Sequence, residues 1–217
     1  VDSLHVQIEA MKLALADAYR YVADPAYMDI SVEDLLDEFY LEHRAECIDM
    51  RRAQDPGHGV PEQSGTVYLT AADEQGMMVS FIQSNYMGFG SGIVVPDTGI
   101  SLQNRGTGFS LEECHPNRVD GGKRPFHTII PAFLMQGDRP LMSFGVMGGP
   151  MQAQGHVQMV LRLVDYGQNP QAAVDAPRWQ VLKGRSVAIE VDFSPAVLDE
   201  LAGRGHQLER LPCQPMF

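Results

Sequence analysis

The chain has 217 residues, long enough to bury one hydrophobic core, and its 44% hydrophobic content is typical of a globular protein. Its net charge of −12, from 28 acidic and 16 basic residues, argues against a nucleic-acid-binding surface. No stretch reaches the roughly 20 apolar residues that a membrane-spanning helix needs. The composition therefore predicts a globular protein with neither a nucleic-acid nor a membrane partner.

The three cysteines, Cys47, Cys114 and Cys213, are odd in number and far apart in the sequence. No CxxC or Cys/His spacing indicates a zinc site, so we expect reduced or unpaired thiols and no metal. Reduced thiols favour a reducing compartment such as the cytoplasm, while a periplasmic or secreted location stays open. The sequence has no signal peptide, but it begins with Val1 rather than Met, which indicates a processed chain or a fragment.

The first 55 residues are predicted to be largely helical. Ser3 is positioned to cap a first helix that ends near Val22, before an Asp-Pro breaker. Ser31, with Asp34 three residues later, resembles a capping box and predicts a second helix. Residues 40–54 continue this helix or form a third, charged one. The apolar positions expected to face a core are Leu4, Ile8, Met11, Leu15 and Ala18 in the first helix, and Leu35, Leu36 and Phe39 in the second.

Residues 55–64 are rich in Pro and Gly and predict an exposed linker in which a break in the chain would be tolerated. Residues 67–72 then alternate with the period of a strand that has two different faces. A turn at 73–76 leads into a second strand at 77–84, rich in Val, Ile, Phe and Met. This pattern predicts a β-hairpin with the hydroxyl of Thr66 at the mouth of its first strand.

The middle of the chain carries few periodic segments. Three glycines between residues 88 and 92 predict a loop in which the backbone closely approaches another group. Residues 93–95 and 98–103 look like short strands, whereas 104–127 lack periodicity, and irregular segments of that length are often functional. Strands are predicted again at 128–135 and 141–146.

The last third of the sequence alternates helices and strands. The Gly148-Gly149 pair precedes a helix, and Asn169-Pro170 and Ser194-Pro195 each combine a capping residue with Pro at the first turn of a further helix. Strands are predicted at 186–192 and 207–211. The residues expected on the buried side of the helix after Gly149 are Val157, Val160, Leu161 and Val164. Helices, then strands, then helices predict an α+β layered domain.

Thr66 has two interpretations. It is an ordinary β-forming residue at a strand start, or it is a nucleophile whose own free α-amine acts as the base. The second interpretation requires cleavage of the Gly65–Thr66 bond. Gly65 suits such a cut because it adds no side chain to crowd the attacking hydroxyl.

Two other features could contribute to chemistry. The backbone N–H groups of Gly148 and Gly149 could form an anion-binding nest at a helix N-terminus, or the pair could simply allow a tight turn. Lys123, Arg124, His127 and Thr128 lie in one loop that could bind a carboxylate or be solvated, and Arg105 is a second carboxylate candidate. The histidines His58, His115, His156 and His206 show no metal spacing and are expected in loops or at the surface.

Several ordered motifs together resemble the γ-glutamyltranspeptidase family of N-terminal-nucleophile hydrolases, in particular its γ-glutamyltransferase-like and cephalosporin-acylase-like branch. The resemblance covers about residues 60–190. The motifs are TVYLTAAD at 66–73, FGSG at 89–92, GKRP at 122–125, GVMGG at 145–149, DYG at 165–167 and APRW at 176–179. The family fold implied is an α+β four-layer αββα sandwich, in which two antiparallel sheets lie between helix layers.

The resemblance implies a precursor that cleaves itself between Gly65 and Thr66. Thr66 would then be the nucleophile that attacks a γ-glutamyl amide to form an acyl-enzyme, and water or an acceptor amine would take the acyl group. Ser84 matches the hydroxyl residue that hydrogen-bonds the nucleophile, and Gly148 and Gly149 match the oxyanion hole. Neither a metal nor an organic cofactor is implied.

The sequence departs from the family where the substrate's amino-acid group is held. Positions that bind the α-amine in the well-known transpeptidases carry Tyr86, Arg105 and Gly108, and the two serines for the α-carboxylate are replaced by His127 and Thr128. We therefore expect Tyr86, Arg105, His127 and Thr128 to bind substrate. Arg105 with His127 favours an acyl group that has a carboxylate but no α-amine, such as glutaryl.

The domain organisation implied has three parts within one structural domain. Residues 1–55 resemble the helical end of the large subunit, 56–65 form a linker ending at the cleavage site, and 66–217 form the small-subunit-like catalytic region. The expected partners are a small amide substrate and the rest of the large subunit, and a homo-oligomer is also possible. This fragment alone is expected to be inactive. A dicarboxylic-acyl amidase resembling cephalosporin acylase and an uncleaved, non-catalytic homologue remain alternatives.

Overall fold

The computed structural model describes residues 1–56 and 65–211. Most of the linker predicted at 56–65, together with His58 and Cys213, lies outside these ranges. The α-helices are α1 (Asp2–Tyr21), α2 (Val32–Leu35), α3 (Glu38–Glu46), α4 (Met151–Val160), α5 (Pro170–Asp175) and α6 (Pro195–Gly203). Short 3₁₀ turns occupy Pro25–Tyr27 and Arg105–Gly108, and a π-helical turn at Leu161–Asp165 extends α4. None of the helices in these ranges is long and apolar enough to cross a membrane.

The strands form three small sheets and confirm a mixed α+β composition. They are β1 (Gly65–Ala72), β2 (Met78–Tyr86), β3 (Ala132–Gln136), β4 (Arg139–Phe144), β5 (Trp179–Lys183), β6 (Ser186–Glu190) and β7 (Gln207–Leu211). The pairs β1–β2, β3–β4 and β5–β6 are antiparallel. The β6–β7 pair is parallel, because α6 connects the two strands and returns the chain to the same end of the sheet.

The chain divides into two compact units. Of the described residues, the first unit contains 1–56, 108–126 and 177–211, and the second contains 65–107 and 127–176. The domain boundaries proposed from the sequence remain a prediction.

The core of the first unit is formed where α1 packs on the three-stranded sheet. The buried apolar residues of this core are Ile8, Met11, Leu15, Trp179, Val181, Val187, Ile189, Leu198 and Leu201. The stripe predicted for α1 is therefore largely confirmed, as is its end at Val22. The predicted Ser3 cap is wrong, because the helix starts at Asp2, two residues before the start that a Ser3 cap implies, and its N-cap position, Val1, makes no side-chain capping bond.

Three other caps are confirmed. Ser31 and Asp34 form a reciprocal capping box, and Asn169 and Ser194 cap α5 and α6. The helix after Ser31 is only four residues long, however, and its expected apolar side is not buried, since Leu36 and Phe39 are 68% and 79% exposed.

The sequence pattern failed for several short strands and for one helix face. Strand β5 was not predicted, and the two strands expected at 93–95 and 98–103 reduce to a single bridge between Val94 and Ser101. In α4 the buried residues include Gln152, Gln154 and Gln158, whereas Val157, and Val164 in the π-helical turn that follows, are exposed. Gly155 lies on the buried face and packs closely on Val146, since an added Cβ there would lie only 2.6 Å from that side chain.

Of the thiols in the described part of the chain, Cys47 and Cys114 are free and exposed, as expected. His206 lies in the loop between α6 and β7, as expected, but its side chain is buried beside His5 of α1 rather than exposed at the surface. Its Nε2 lies 2.8 Å from His5 Nδ1 and 3.9 Å from Glu9 Oε1. These three side chains could geometrically hold a metal ion, but the ammonium group of Lys12, 2.8 Å from Glu9 Oε1, already neutralises the carboxylate.

This buried cluster predicts a loss of stability in acid. Burial, with the charges of Lys12, His5 and Arg204, lowers the pKa of His206 to about 3, whereas an unfolded histidine titrates near 6.5. Below pH 6.5 the unfolded chain therefore takes up a proton that the folded chain excludes, and the free energy of unfolding falls by up to about 1.4 kcal/mol per pH unit. Urea unfolding at pH 8 and pH 5 measures this loss.

His206→Gln should make the urea midpoint less sensitive to pH between 8 and 5. His43→Gln is the matched control, since the His43 side chain is 77% exposed and the replacement should leave the pH dependence unchanged. Equal pH dependence in the wild type and the His206 variant would contradict the assignment.

Candidate active site

The register of the β1–β2 hairpin places Thr66 directly opposite Ser84. The Thr66 hydroxyl donates a hydrogen bond to Ser84 Oγ at 3.1 Å. Side chains on alternate residues of a strand share a face, so Thr66 and Tyr68 point to the same side of β1, and both are half-buried. The predicted hydroxyl pair at the mouth of the hairpin is therefore present.

The pairing of β1 with β2 is irregular at the proposed cleavage bond. Thr66 pairs with Ser84, but Gly65 pairs with Tyr86, so Asn85 is an extra residue on β2. Bulges of this kind bend a strand and redirect side chains, and they occur frequently beside active sites. The Gly65–Thr66 bond thus lies at the one described irregularity of this hairpin.

Tyr86 has a backbone φ of 74°, a left-handed conformation that is costly for a residue with a large side chain. Neighbouring contacts hold it there. Ser84 Oγ accepts from Tyr86 N at 2.9 Å, Asn104 N donates to Asn85 O at 3.2 Å, and Asn104 Oδ1 accepts from Met87 N at 3.0 Å. Ser84 therefore orients both the Thr66 hydroxyl and the backbone of Tyr86.

Strand β4 lies beside the hairpin on the face that carries Thr66. Thr70 hydrogen-bonds Ser143, and Gly145 packs so closely on Tyr68 that a Cβ there would overlap the ring. The step from Thr70 to Tyr68, towards the start of β1, thus corresponds to the step from Ser143 to Gly145, past the end of β4. The two candidate oxyanion-hole glycines, Gly148 and Gly149, follow Gly145 by three and four residues.

Gly148 and Gly149 form the connection from β4 to α4, with φ of 105° and 60°. Their carbonyls accept from Met151 N at 3.2 Å and Gln152 N at 3.0 Å and so start the helix. Within residues 1–56 and 65–211, no acceptor takes a hydrogen bond from the N–H of either glycine. Consecutive backbone N–H groups at a helix N-terminus suit a developing negative charge.

Gln152 was missed by sequence reasoning. It is fully buried, and its Oε1 accepts from Ile130 N at 2.9 Å, which joins the first turn of α4 to the segment that follows His127 and Thr128. A glutamine three residues after the Gly-Gly pair, in the first helical turn, was the available signal. Gln152 is positioned to fix the backbone after Gly149 relative to the candidate substrate-binding segment.

The structure brings together three of the four predicted substrate-binding residues. The Arg105 guanidinium lies 5.1 Å from the centroid of the Tyr86 ring, and its Nη1 donates to Thr128 Oγ1 at 3.3 Å. His127 is next in sequence to Thr128 and largely exposed. Desolvation of its imidazole, with a smaller effect from the charge on Arg105, lowers the His127 pKa.

The basic loop at Lys123 and Arg124 is occupied by structural contacts in the first unit. Arg124 pairs with Asp24 at 3.2 Å, and these hydrogen bonds lower the pKa of the Asp24 carboxyl to about 2. The Lys123 ammonium lies 4.2 Å from the centroid of the Tyr27 ring and donates to Pro116 O. Lys123 and Arg124 therefore have structural roles rather than the carboxylate-binding role that the sequence suggested.

The close approach of Gly145 to Tyr68 predicts that Gly145→Ala destabilises the protein. Overpacking of this kind typically costs about 1–3 kcal/mol, because the ring or the backbone must move. Urea unfolding should show the loss, and adding Tyr68→Val should recover part of it. Strictly additive effects of the two substitutions would contradict the contact.

The chain matches the family model described as Gamma-glutamyltranspeptidase over residues 1–214. The chain belongs to the γ-glutamyltranspeptidase family, a branch of the N-terminal-nucleophile hydrolases, and the family predicted from the motifs is confirmed. The crystal structure of cephalosporin acylase from Bacillus halodurans is 51% identical, with a TM-score of 0.90, and the match covers 97% of this chain and 38% of that chain.

Two curated relatives are each a little under 40% identical to this chain. The glutathione hydrolase-like YwrD proenzyme of Bacillus subtilis (strain 168) is 39% identical, with 94% of this chain and 40% of the relative covered. The oxamate amidohydrolase proenzyme of Klebsiella pneumoniae is 38% identical, with 96% of this chain and 40% of the relative covered. The chain thus spans about 40% of the length of these curated relatives.

Proposed function

We propose that this chain carries the nucleophile and the oxyanion hole of a self-processing amide hydrolase or acyltransferase of the γ-glutamyltransferase-like type. The observation that carries the proposal is the Thr66–Ser84 hydroxyl pair, 3.1 Å apart, at a bulge that follows Gly65. Membership of the family supports it, as do relatives named as glutathione hydrolase-like, oxamate amidohydrolase and cephalosporin acylase.

Processing and catalysis use the same hydroxyl in this proposal. In the precursor, Thr66 Oγ1 attacks the Gly65 carbonyl carbon, the peptide bond breaks, and the resulting ester is hydrolysed by water to a Gly65 carboxylate and a free Thr66 α-amine. In the mature enzyme that amine accepts the Thr66 hydroxyl proton as Oγ1 attacks the substrate amide. The C–N bond then breaks, the amine product leaves with the proton, and water or an acceptor amine releases the acyl group from Thr66.

Ser84 and the Gly-Gly turn have separate roles. Ser84 Oγ accepts from the Thr66 hydroxyl and so fixes the direction of its lone pairs before attack. The N–H groups of Gly148 and Gly149 would stabilise the tetrahedral oxyanion, a type of interaction that is usually the largest single contribution to acyl-transfer catalysis. The contact between Gly145 and Tyr68 supports this role, since Tyr68 lies two residues from Thr66 on the same face of β1 and Gly148 and Gly149 follow Gly145 closely in the sequence.

Two structural proposals accompany the function. We infer that the sheets belong to a four-layer αββα sandwich, supported by the likeness to cephalosporin acylase. We also propose that residues 1–55 and 66–217 correspond to parts of the large and small subunits, and that the remainder of the large subunit is a partner. The oligomeric state has to be measured separately.

Intact-mass analysis of the full-length precursor, before and after mixing with amide substrates, tests this function. We expect two fragments that meet at Gly65/Thr66, and a transient mass increase on the Thr66 fragment equal to the acyl group of the substrate. A single stable chain with no acyl adduct would instead identify a non-catalytic homologue.

A further inference from the structure

The β1–β2 hairpin ends in a residue that is held in a costly backbone conformation. Tyr86 has φ of 74° and is only 6% exposed, whereas Asp97 and Cys114, the other non-glycine residues with positive φ in the described part of the chain, are exposed. A left-handed conformation is unfavourable for a bulky residue and persists only where the surrounding contacts enforce it. Backbone strain of this kind clusters at functional sites, so the residue that enforces it is a candidate for a functional role.

Asn104 holds the backbone on both sides of Tyr86. Its backbone N–H donates to Asn85 O at 3.2 Å, and its side-chain Oδ1 accepts from Met87 N at 3.0 Å. Ser84 Oγ adds a third bond, which it accepts from Tyr86 N at 2.9 Å. A single asparagine thus fixes the carbonyl before Tyr86 and the N–H after it, and so restricts the rotation of the two peptide units that flank this residue.

The loop between β2 and Asn104 brings its two ends together at a glycine. Gly90, in the FGSG motif, has φ of 74°, and an added Cβ would lie 2.4 Å from Leu102 O and 3.1 Å from the Cβ of Asn85. A side chain at this position would therefore push the two ends of the loop apart. The close backbone approach predicted for this glycine-rich loop is present, and it brings Asn104 alongside the end of β2.

The strained residue lies opposite the proposed cleavage bond. Tyr86 is the pairing partner of Gly65, whereas Thr66 pairs with Ser84, so the Gly65–Thr66 peptide bond lies at the bulge. Self-cleavage requires Thr66 Oγ1 to approach the Gly65 carbonyl carbon to about 3–3.5 Å in the correct direction. Ser84 orients the attacking hydroxyl, and the backbone of Tyr86 is the partner of the residue that carries the scissile carbonyl.

We propose that Asn104 is a positioning residue for self-cleavage, which holds Tyr86 in its left-handed conformation and so orients the Gly65 carbonyl towards Thr66 Oγ1. In this step the bond from Thr66 Oγ1 to the Gly65 carbonyl carbon forms, the Gly65–Thr66 peptide bond breaks, and the hydroxyl proton passes to the departing Thr66 N. Water then hydrolyses the ester. The role of Asn104 ends with the cut, because Gly65 is then no longer joined to the nucleophile. This inference rests on the proposed function, in which Thr66 is that nucleophile.

The rate of self-cleavage of the full-length precursor, freshly made by cell-free synthesis and followed by intact mass, tests this role. Asn104→Leu keeps the size of the side chain but removes the acceptor for Met87 N. We expect cleavage to slow about 10- to 100-fold, with a much smaller change in the kcat of the protein once it has been cleaved. Asn104→Asp keeps an acceptor oxygen and should retain most of the wild-type rate. Thr107→Val is the matched control, because it removes a different side-chain bond, from Thr107 Oγ1 to Asn104 O, and should leave cleavage unchanged.

A second substitution separates positioning from folding. Glycine adopts a φ near 74° without steric cost, so Tyr86→Gly combined with Asn104→Leu should recover cleavage that Asn104→Leu alone has lost. A wild-type cleavage rate in Asn104→Leu, or no recovery in the double variant, would overturn the positioning role. Equal losses in cleavage and in kcat would also overturn it and leave Asn104 a structural residue only. Each of these results leaves the proposed function standing if the wild type is cleaved before Thr66, whereas a wild type that is never cleaved would reject both.

Discussion

Thr66→Ala is expected to abolish both cleavage of the precursor and turnover of amide substrates. The substitution removes the hydroxyl that donates to Ser84 Oγ at 3.1 Å, and no atom at that position remains to attack the Gly65 carbonyl or a substrate amide. Without cleavage the α-amine stays in a peptide bond and cannot act as a base. Gel and mass analysis should show one uncut chain, and amidase activity should fall to background.

Two variants make this result specific. Thr66→Ser keeps a hydroxyl and should still be cleaved, although more slowly, because serine lacks the methyl group that restricts the threonine rotamer. Thr70→Ala lies on the same face of β1 and loses its bond to Ser143, so it reports the cost of altering the strand alone. Cleavage between residues 65 and 66 in the Thr66→Ala protein would disprove the nucleophile.

The elements of the site that were predictable from sequence are those set by local pattern. The alternation at 67–72 and the turn at 73–76 determined the hairpin, and the register of that hairpin then pairs Thr66 with Ser84. The caps at Asn169 and Ser194 were predictable for the same reason, since each side chain accepts a hydrogen bond from the backbone N–H three residues later. The prediction of a Ser3 cap was wrong because an N-cap residue directly precedes its helix, and Ser3 lies inside α1, which begins at Asp2.

Features that depend on contacts distant in sequence were not predictable. On the buried face of α4, Gly155 packs on Val146 and Gln152 accepts a hydrogen bond from Ile130 N, and neither contact is visible in a hydrophobic period. Arg105 could be named as a carboxylate candidate, but its burial, with no carboxylate paired to it among the described residues, follows from the fold of an aperiodic segment. His206 was expected in a loop or at the surface, and only the packing of the segment before β7 against α1 shows that it is buried.

Gly149→Ala is expected to lower kcat by about 100- to 1,000-fold with a much smaller effect on substrate binding. An alanine at φ of 60° is disfavoured by roughly 1–2 kcal/mol, so the peptide units on either side of residue 149 will rotate to relieve it. The oxyanion needs donors about 2.7–3.1 Å away, and losing one typically produces a rate loss of this size. Because the oxyanion exists only in the transition state and the tetrahedral intermediate, the loss should fall on kcat and kcat/KM together.

The β3–β4 turn offers a matched control for backbone strain. Gly137 has φ of 57°, nearly that of Gly149, and an added Cβ there meets nothing within 4 Å. Gly137→Ala should therefore carry a similar conformational cost, visible in urea unfolding, while kcat stays at the wild-type value. If Gly149→Ala changed only KM, or if both alanine variants reduced kcat equally, the loss could not be assigned to displaced oxyanion donors, and the Gly148-Gly149 turn would be a structural connection between β4 and α4.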